Sequence, residues 1–440
     1  LFEDGKVPNL THDSGTLSLR NARVLAAWCA EQVAAKALPE AIVVLEVGMG
    51  TGLHLRLLLD HFQRLCTEGG HDWYGRLQVY ATDVSPGIIA QARERGLFEG
   101  HSGRVWIGYM DLGVPGVFID PDSNEQIDLR GGIHLLCANY VLDLLPIDVF
   151  RRSQVSANGS TPSVLWEALL ARTWLRATER LPAYSDLTLE QVKTLAVSDD
   201  PQAWRALTSL YSLLQLELRT FEVPIAAHPD LDELVRLANR QEAALGTDHP
   251  LLADGTIVYH SGGALRVAAG FGAVLAANGY ATLRDIGLTT AALAAVPRIH
   301  QHFGTTVAAG VNMVQLDDWL AEDRSGTGVR AVAPGHDGVD NHAARLLTRA
   351  ALPATEAAFV AHFDGNELAR IGQTILSARQ SDDPQAALEQ YRQALLLEPG
   401  NWLLLGEAAA HALAGGLVPD VAMGIARQGL EVNPAYNADL

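Results

Sequence analysis

A glycine-rich turn between an apolar run and an amphipathic segment constrains the fold of this chain more than any other feature. Ala41–Val47 (AIVVLEV) is short, apolar and rich in β-branched residues, as expected of a parallel strand buried on both faces. Gly48–Gly52 (GMGTG) follows it, and Leu53–Leu65 has the apolar spacing of an α-helix. Glycine adopts positive φ without strain and lets a ligand approach the backbone. The run therefore predicts the first strand–turn–helix unit of a ligand-binding sheet.

Strands and helices alternate along the residues that follow. We predict strands at Leu77–Thr82, Arg104–Tyr109 and Ile133–Ala138, a helix at Ser85–Arg95, and another helix near Asp148. Alternation with short connections is typical of a parallel sheet that carries helices on its faces. The predicted fold class is therefore α/β.

The alternation stops at Ser163 and resumes near Thr256. Residues 163–245 have an almost entirely helical pattern, interrupted by prolines, and we interpret them as an all-helical insertion in one sheet domain. Four elements are predicted after it: a strand at Thr256–His260, a helix at Ala268–Asn278, and strands at Ala281–Ile286 and Thr305–Val311. Gly279 is expected to end the helix as its C-cap residue.

The last hundred residues contain a repeat. Ala387, Tyr391, Ala394 and Pro399 recur 35 residues later as Ala422, Ala426, Gly429 and Pro434, and Trp402–Gly406 (WLLLG) lies between the two sets. This spacing resembles a tetratricopeptide array of about two helix pairs, in which small residues let the helices approach. A generic helical bundle is the alternative.

These patterns divide the chain into six predicted segments. They are a helical leader (1–40), the first part of the sheet domain (41–162), the helical insertion (163–245), the second part of the sheet domain (246–322), a Gly- and Asp-rich linker (323–342) and the helical repeats (343–440).

The spacing of the glycines favours one cofactor. A dinucleotide site has the pattern G-x-G-x-x-G and a pyrophosphate at the helix N-terminus, whereas this turn reads G-x-G-x-G after Glu46. A carboxylate at the end of the strand suits a cationic amino-acid group, so the pattern favours S-adenosyl-L-methionine. Asp83, in YATDVSP at the end of the second strand, can accept both ribose hydroxyls.

The chain resembles class I methyltransferases from its first strand to Phe150, and more loosely from Thr256 to Leu320. That resemblance implies a Rossmann-like sheet and an adenine contact at Asp111, in YMDLG after the third strand. It also implies a lid over the cofactor from His12–Arg20. The predicted cofactor-binding residues are Glu46, Gly48, Gly50, Thr51, Gly52, Asp83, Val84, Met110, Asp111 and Asn139.

A closer resemblance lies in residues 138–150 (ANYVLDLLPIDVF). It is similar to the N-E-x-x-D-A-L-P segment of the MidA-like family, which includes mitochondrial protein-arginine methyltransferases. Asn139, Asp143, Leu145 and Pro146 match that pattern. Tyr140 stands where the family has an acidic residue that could pair with a guanidinium, which argues against arginine as the acceptor.

Asn139, Tyr140 and Asp143 are the predicted catalytic residues. Methyl transfer is an in-line displacement at an activated carbon, so the protein mainly orients the acceptor and excludes water. Asn139 and Tyr140 are expected to hydrogen-bond the acceptor, and Asp143 to take a proton or hold a cation. The alternative for Asp143 is a helix cap. No metal site is predicted, because the H-x-H pair at residues 300–302 lacks a third ligand.

Charge and composition restrict the partners. The net charge of −19 argues against a nucleic-acid substrate and fits a neutral or basic partner. No apolar run reaches the roughly 20 residues that a membrane span needs. The three widely spaced cysteines form no disulfide framework, which fits a reducing cytoplasm, and Cys29 and Cys137 are expected to be packed thiols. The opening segment has no signal-peptide pattern. It does not begin with Met, so the sequence does not show where the natural chain begins.

Three functions are compatible with these features. The favoured hypothesis is a methyltransferase that acts on a peptide or protein side chain, because repeat arrays hold extended peptides or partner proteins. The second is a small-molecule N- or O-methyltransferase whose repeats form a homodimer. The third is a non-catalytic scaffold that binds the cofactor. The sequence does not select the methylated atom.

Overall fold

The chain folds into two compact units, and each is described by itself. The computed structural model describes residues 15–155, 163–177, 194, 214–223, 240, 243, 257–290, 301–303, 306–308, 310–322, 326–337, 342–416 and 419–432. The core unit comprises Pro8–Leu142, Leu265–Gly287 and Asp317–Leu440. The second unit comprises Leu1–Val7, Asp143–Ala264 and Leu288–Leu316.

Ten α-helices lie within the described residues. They are α1 (Thr16–Ala34), α2 (Leu53–Gly69), α3 (Pro86–Glu94), α4 (Gly262–Val274), α5 (Met313–Ala321), α6 (Pro353–His362), α7 (Gly365–Arg379), α8 (Pro384–Leu397), α9 (Trp402–Ala414) and α10 (Pro419–Val432). None of these helices is long and apolar enough to cross a bilayer.

Sixteen strands lie within the same residues. They are β1 (Ile42–Val47), β2 (Leu77–Asp83), β3 (Val105–Tyr109), β4 (Val117–Ile119), β5 (Gln126–Asp128), β6 (Ile133–Asn139), β7 (Asp148–Val155), β8 (Ser163–Ala177), β9 (Leu214–Val223), β10 (Ile257–His260), β11 (Leu275–Leu288), β12 (Gln301–Phe303), β13 (Thr306–Ala308), β14 (Val311–Asn312), β15 (Arg330–Val332) and β16 (His342–Thr348).

The core unit is built on a mixed sheet whose centre is parallel. Its strands follow the order β15-β16-β11-β6-β1-β2-β3-β4-β5. β11, β6, β1, β2 and β3 run parallel, and the pairs at both margins are antiparallel. The predicted α/β class and the first four predicted strands are confirmed. Val47 pairs with both Thr82 and Ala138, so the carboxyl ends of β1, β2 and β6 meet at one edge.

The hydrophobic core of this unit fixes the glycine turn between β1 and α2. Val44 on β1 and Leu58 on α2 are fully buried. The predicted helix before the first strand is confirmed as α1, and its buried Trp28 donates the indole N–H to the Asn278 carbonyl over 2.7 Å. Truncation of a buried Leu in such a core typically costs roughly 2–5 kcal/mol. The turn therefore starts and ends on rigid elements.

The all-helical insertion predicted at residues 163–245 is wrong at its two described strands, and most of its other residues lie outside the described part of the chain. Residues 163–177 and 214–223 are strands, and with β7 and β10 they form an antiparallel sheet of order β10-β7-β8-β9. The helix predicted near Asp148 is wrong as well, since β7 begins there. Ala, Leu, Glu and Arg in residues 163–177 favour helix, but cross-strand pairing overrides that weak preference. The strict alternation of Leu214, Leu216 and Leu218 with polar residues was a strand signal.

Three assignments in the second half also differ from the prediction. The helix predicted to Asn278 ends at Val274. Gly279 is not its C-cap: it lies in β11 at a register irregularity, where a Cβ would overlap the Ile133 carbonyl oxygen. The predicted strand at residues 305–311 is instead split between the β12–β13 hairpin and β14.

The predicted linker and repeat segments supply the last sheet strands. β15 lies inside the linker, and β16 occupies the start of the region predicted to be helical. A short apolar run such as HAARLLT cannot be assigned to helix or strand by periodicity alone, and its pairing with β11 decides it.

Helices follow one another from α6 to the end of the described chain. Asp364, Asp383 and Asn401 accept hydrogen bonds from backbone N–H groups at the starts of α7, α8 and α9, which is ordinary N-capping. Ala387 and Tyr391 of the repeat are buried. The helical character of this C-terminal region is confirmed from Pro353 onward.

Candidate functional site

The glycine turn adopts the conformation that its sequence predicts. Gly48, Gly50 and Gly52 have φ angles of 64°, 54° and 71°, in the left-handed region that favours glycine. A Cβ on Gly52 would overlap Leu97, whereas the position of a Cβ on Gly50 is open, with nothing within 4 Å. Thr51 accepts a hydrogen bond from Leu53 N over 3.4 Å. The turn thus packs closely at its end and leaves room at its middle.

Asp83 holds this turn from the end of β2. One carboxylate oxygen accepts a hydrogen bond from Gly50 N at 3.1 Å, and the other accepts one from Ser85 N at 2.9 Å. The side chain is buried. The predicted ribose-binding residue therefore lies at the turn and also shapes it, a role that the sequence did not reveal.

Glu46 lies in a buried polar cluster at the end of β1. Its carboxylate is 3% exposed, and Oε1 is 2.6 Å from Nδ1 of His54 on α2. The Nε2 of His54 is 3.0 Å from Nδ2 of Asn21 on α1, and Asn139 Nδ2 at the end of β6 is 3.2 Å from His54 Nδ1. We call these four residues the polar cluster. Sequence reasoning found Glu46 and Asn139 but missed Asn21 and His54.

Three acceptors of the polar cluster are buried and have no hydrogen-bond partner among the described residues. One is Asn21 Oδ1 on α1, and the other two form a pair at the strand ends, Glu46 Oε2 and Asn139 Oδ1. A buried acceptor without a donor costs roughly 1–3 kcal/mol. Such a pair suits a ligand that brings several donors, and an ammonium group carries three. The amino-acid end of S-adenosyl-L-methionine therefore fits the residues present.

The ends of β2 and β3 have a different character. Val84 follows Asp83 and is 67% exposed, which is unusual for a large apolar side chain. Met110 is buried, and its N–H donates to the Asp83 carbonyl at 3.3 Å. Asp111 is exposed and accepts a hydrogen bond from Gly113 N at 2.7 Å. These residues offer one exposed apolar contact and one exposed carboxylate.

Tyr140 has a strained backbone immediately after β6. Its φ of 51° is rare for a residue with a Cβ, and its N–H donates to the Arg284 carbonyl at 2.9 Å. The Arg284 guanidinium carbon lies 5.8 Å from the centre of the Tyr140 ring. Strain of this kind costs about 1–3 kcal/mol and persists only where surrounding contacts enforce it.

Asp285 enforces the path of the same segment. Its two carboxylate oxygens accept hydrogen bonds from Leu142 N and Ile286 N, each at 2.8 Å. The residue is buried at 1% exposure, and the sequence analysis did not select it. Its only sequence signal is an acidic residue late in the predicted strand Ala281–Ile286.

Asp143 lies in a short 3₁₀ turn, Leu142–Leu144, and its side chain is buried. No α-helix follows it before β7, so the helix-cap alternative is wrong. The expected role of Asp143 toward an acceptor stays a prediction.

Neither a metal centre nor a reactive thiol lies at the turn among the described residues. His300 lies outside the described residues, as does His12 of the predicted lid. Within the described part of the chain, no three His, Cys, Asp or Glu residues converge as metal ligands. Cys137 pairs with Glu46 in the sheet register, and burial, with a smaller contribution from the Glu46 charge, raises the pKa of its thiol. It is a packed thiol and not a nucleophile.

One family model matches the chain across the glycine turn. The family model Methyltransf_28, described as "Putative S-adenosyl-L-methionine-dependent methyltransferase", matches residues 24–270, more than half of the chain. No curated protein sequence matches the chain.

Solved structures match more weakly. A COG1565 superfamily member from Burkholderia thailandensis bound to S-adenosyl-homocysteine shares 18% identity over 73% of this chain and 64% of that chain, with a TM-score of 0.40. A native structure of a COG1565 protein from the same organism gives the same identity, coverage of this chain and TM-score, over 66% of that chain. The CurJ carbon methyltransferase shares 12% identity over 74% of this chain and 54% of that chain, with a TM-score of 0.31.

This chain thus spans less than two thirds of the two Burkholderia proteins. The family model decides the assignment, because it covers the glycine turn and the ends of β1, β2, β3 and β6. The chain belongs to the Methyltransf_28 family of S-adenosyl-L-methionine-dependent methyltransferases.

Proposed function

We propose that this protein transfers a methyl group from S-adenosyl-L-methionine to a side chain of a peptide or protein. The observation that carries the cofactor half is the pair of unpartnered buried acceptors, Glu46 Oε2 and Asn139 Oδ1, beside an open glycine turn. We take the sheet to be Rossmann-like and helices α7–α10 to be two tetratricopeptide-like pairs.

Each end of the cofactor has its own residues in this proposal. Glu46 accepts hydrogen bonds from the ammonium group, and Asp83 accepts them from the ribose hydroxyls, as carboxylates at strand ends do in related sheets. Val84 and Met110 flank the adenine, and Asp111 accepts from its amino group. Gly48, Gly50, Thr51 and Gly52 let the ligand lie against the backbone.

For methyl transfer, the main task of the protein is to orient the acceptor toward the methyl group. S-adenosyl-L-methionine supplies an already activated methyl group on a sulfonium. Asn139 and Tyr140 hold the acceptor at the end of β6, and the enforced backbone of Tyr140 keeps its ring from moving away. Asp143 takes a proton or holds a cation only when the acceptor requires it.

The acceptor class is inferred from charge and from the C-terminal helices. The chain has 51 acidic and 32 basic residues, which favours neutral or basic partners and disfavours nucleic acid. Repeat helices expose surfaces that hold extended peptides. A cytoplasmic setting accompanies this proposal.

A second candidate function is small-molecule methylation with the repeats used for dimerisation. It is favoured by exposed apolar side chains on the C-terminal helices, among them Leu396, Leu413 and Met423. Singly exposed apolar residues are common, so this observation is the weaker one.

Incubation of the intact protein with methyl-labelled cofactor tests the proposal. A peptide library and a metabolite extract are offered separately, and products are identified by a mass increase of one methyl group. Labelled peptides support the proposal, and labelled metabolites alone support the second candidate. Cofactor binding without any labelled product in either pool supports a non-catalytic scaffold.

A further inference from the structure

We infer that His54 is a positioning residue for the amino-acid end of the cofactor, and that Asn21 on α1 fixes His54 in turn. This inference rests on the proposed binding of S-adenosyl-L-methionine. In this proposal, His54 and Asn21 orient the cofactor through Glu46 and do not contact it themselves.

The imidazole of His54 is held at both nitrogens. Nδ1 is 2.6 Å from Glu46 Oε1, and Nε2 is 3.0 Å from Asn21 Nδ2. The three residues are 5%, 3% and 1% exposed, in the order His54, Glu46, Asn21. A ring with a partner on each side cannot rotate without losing a buried hydrogen bond, so its orientation is fixed.

One tautomer of His54 satisfies both contacts. With the proton on Nδ1, the ring donates to Glu46 Oε1, and Nε2 accepts from the Asn21 amide. Nδ1 then has no lone pair for the Asn139 amide, although the two atoms are 3.2 Å apart. The amide of Asn139 therefore stays available to a ligand.

As a result, one carboxylate oxygen of Glu46 accepts a hydrogen bond from His54, and the other remains available to a ligand. His54 occupies Oε1, and Oε2 is buried without a partner. A second-layer histidine that fixes a carboxylate pre-organises it, so that the ligand does not have to order it on binding. Without His54 the carboxylate would be free to rotate and would present no defined oxygen to the ammonium group.

The surroundings of His54 support a polar task for it. Its neighbours Leu53 and Leu55 on α2 are fully or almost fully buried, as are Leu58 and Phe62 farther along the helix. A leucine at position 54 would satisfy the packing but leave Glu46 with two unpartnered oxygens. The polar contacts with Glu46 and Asn21, rather than packing, therefore account for a histidine at this position.

Two ligands separate positioning from a merely structural role. S-adenosyl-L-homocysteine carries the amino-acid end, and 5′-methylthioadenosine has the same nucleoside without it. Their dissociation constants are measured by calorimetry on the intact protein and on His54→Leu. We expect His54→Leu to weaken binding of S-adenosyl-L-homocysteine by about tenfold, the usual scale for one oriented hydrogen bond. Binding of 5′-methylthioadenosine should stay within about twofold of wild type.

His61→Leu is the matched control. His61 is buried on the same helix and makes no contact with Glu46; its Nδ1 is 3.2 Å from Arg64 instead. It should affect both ligands alike. His54→Gln, which can donate to Glu46 and accept from Asn21, should recover part of the lost selectivity.

Asn21→Ala keeps the inference testable if His54→Leu does not fold. It should weaken S-adenosyl-L-homocysteine selectively, by a smaller factor than His54→Leu. Equal effects on both ligands, or none on either, would overturn the role of His54 and Asn21. Wild-type protein that binds neither ligand would overturn the proposed function itself, a result separate from the first.

Discussion

The two ends of the candidate cofactor site are built in opposite ways. At the ends of β1 and β6, the polar cluster is buried and tied together by hydrogen bonds before any ligand arrives. At the ends of β2 and β3, Val84 and Asp111 are exposed, and the carboxylates of Asp83 and Asp111 are held only by backbone N–H groups of the adjacent turns. In the proposed complex, the first region would recognise the charged ammonium group with a rigid carboxylate. The second offers surface that a flat base can cover, so its side chains should tolerate more change.

The largest effect is expected where both regions meet, in the glycine turn. Gly52→Ala places a Cβ against Leu97 and leaves a side chain at a φ of 71°. We expect a loss of affinity of at least about hundredfold for both S-adenosyl-L-homocysteine and 5′-methylthioadenosine, since the backbone that touches the ligand must move. Calorimetry on the two ligands measures it.

Gly70→Ala is the control for this change. Gly70 has a similar φ of 67° at the end of α2, but nothing lies within 4 Å of a Cβ there. It should cost about 1 kcal/mol of stability without loss of affinity. Equal affinities for the two variants would contradict the importance of the turn.

Glu46→Gln should produce the next largest effect and should act at one end only. The amide keeps the shape of the side chain but removes the negative charge that faces the ammonium group. We expect S-adenosyl-L-homocysteine to bind about ten- to hundredfold more weakly, the scale of a buried charge-assisted hydrogen bond. The affinity for 5′-methylthioadenosine should not change, and a parallel loss for that ligand would count against the assignment.

Asp83→Asn should weaken both ligands, by about tenfold each. Asp83 is expected to serve the ribose, which both ligands contain, and it accepts the hydrogen bond from Gly50 N that fixes the turn. The ratio of the two affinities should therefore stay constant, in contrast to the effect of Glu46→Gln. A selective effect on one ligand would show that the two ends are not independent.

Val84→Ala should have the smallest effect on affinity. The side chain is 67% exposed without ligand, so truncation removes only the apolar area that adenine covers. We expect about a three- to fivefold loss for both ligands and little change in thermal stability, because the area that adenine covers corresponds to roughly one of the two removed carbon groups, about 0.8 kcal/mol. A large stability loss would mean that Val84 packs against the protein rather than against the ligand.

The free energy of unfolding should depend on pH through His61, a buried residue outside the polar cluster. Burial, followed by the Arg64 charge, lowers the pKa of His61 to about 4 from 6.5. Protons then bind the unfolded chain more readily, so His61 contributes stability above pH 6.5 that is lost as pH falls toward 4, by about 3 kcal/mol at most. His61→Leu should flatten denaturant-melt stabilities across this window. An unchanged pH dependence would contradict the assignment.

The sequence predicted the site best where local pattern and chemistry coincide. Glu46 lies near the end of a predicted strand, and the turn, Asp83 and Asn139 each follow one. The carboxyl ends of neighbouring parallel strands meet at one edge of the sheet. His54 and Asn21 were missed because each is one of several polar residues on an amphipathic helix, and neither belongs to a recognisable motif. Only the packing of α1 and α2 brings them to Glu46.

The fold was likewise predictable only where the local sequence pattern determines the secondary structure. The presence of β1, β2, β3 and β6 follows from the alternation of strands and helices, whereas β8 and β16 depend on partners distant in the chain. In residues 163–177 helix-forming side chains misled the assignment, and in β16 a short apolar run carried no usable period.

A crystal structure of the intact protein with S-adenosyl-L-homocysteine tests the central claim most directly. The account predicts the ammonium nitrogen within about 2.7–3.2 Å of Glu46 Oε2, with His54 still bonded to Oε1. It also predicts the ribose hydroxyls beside Asp83. A ligand whose amino group faces solvent, or that binds away from the glycine turn, would contradict it.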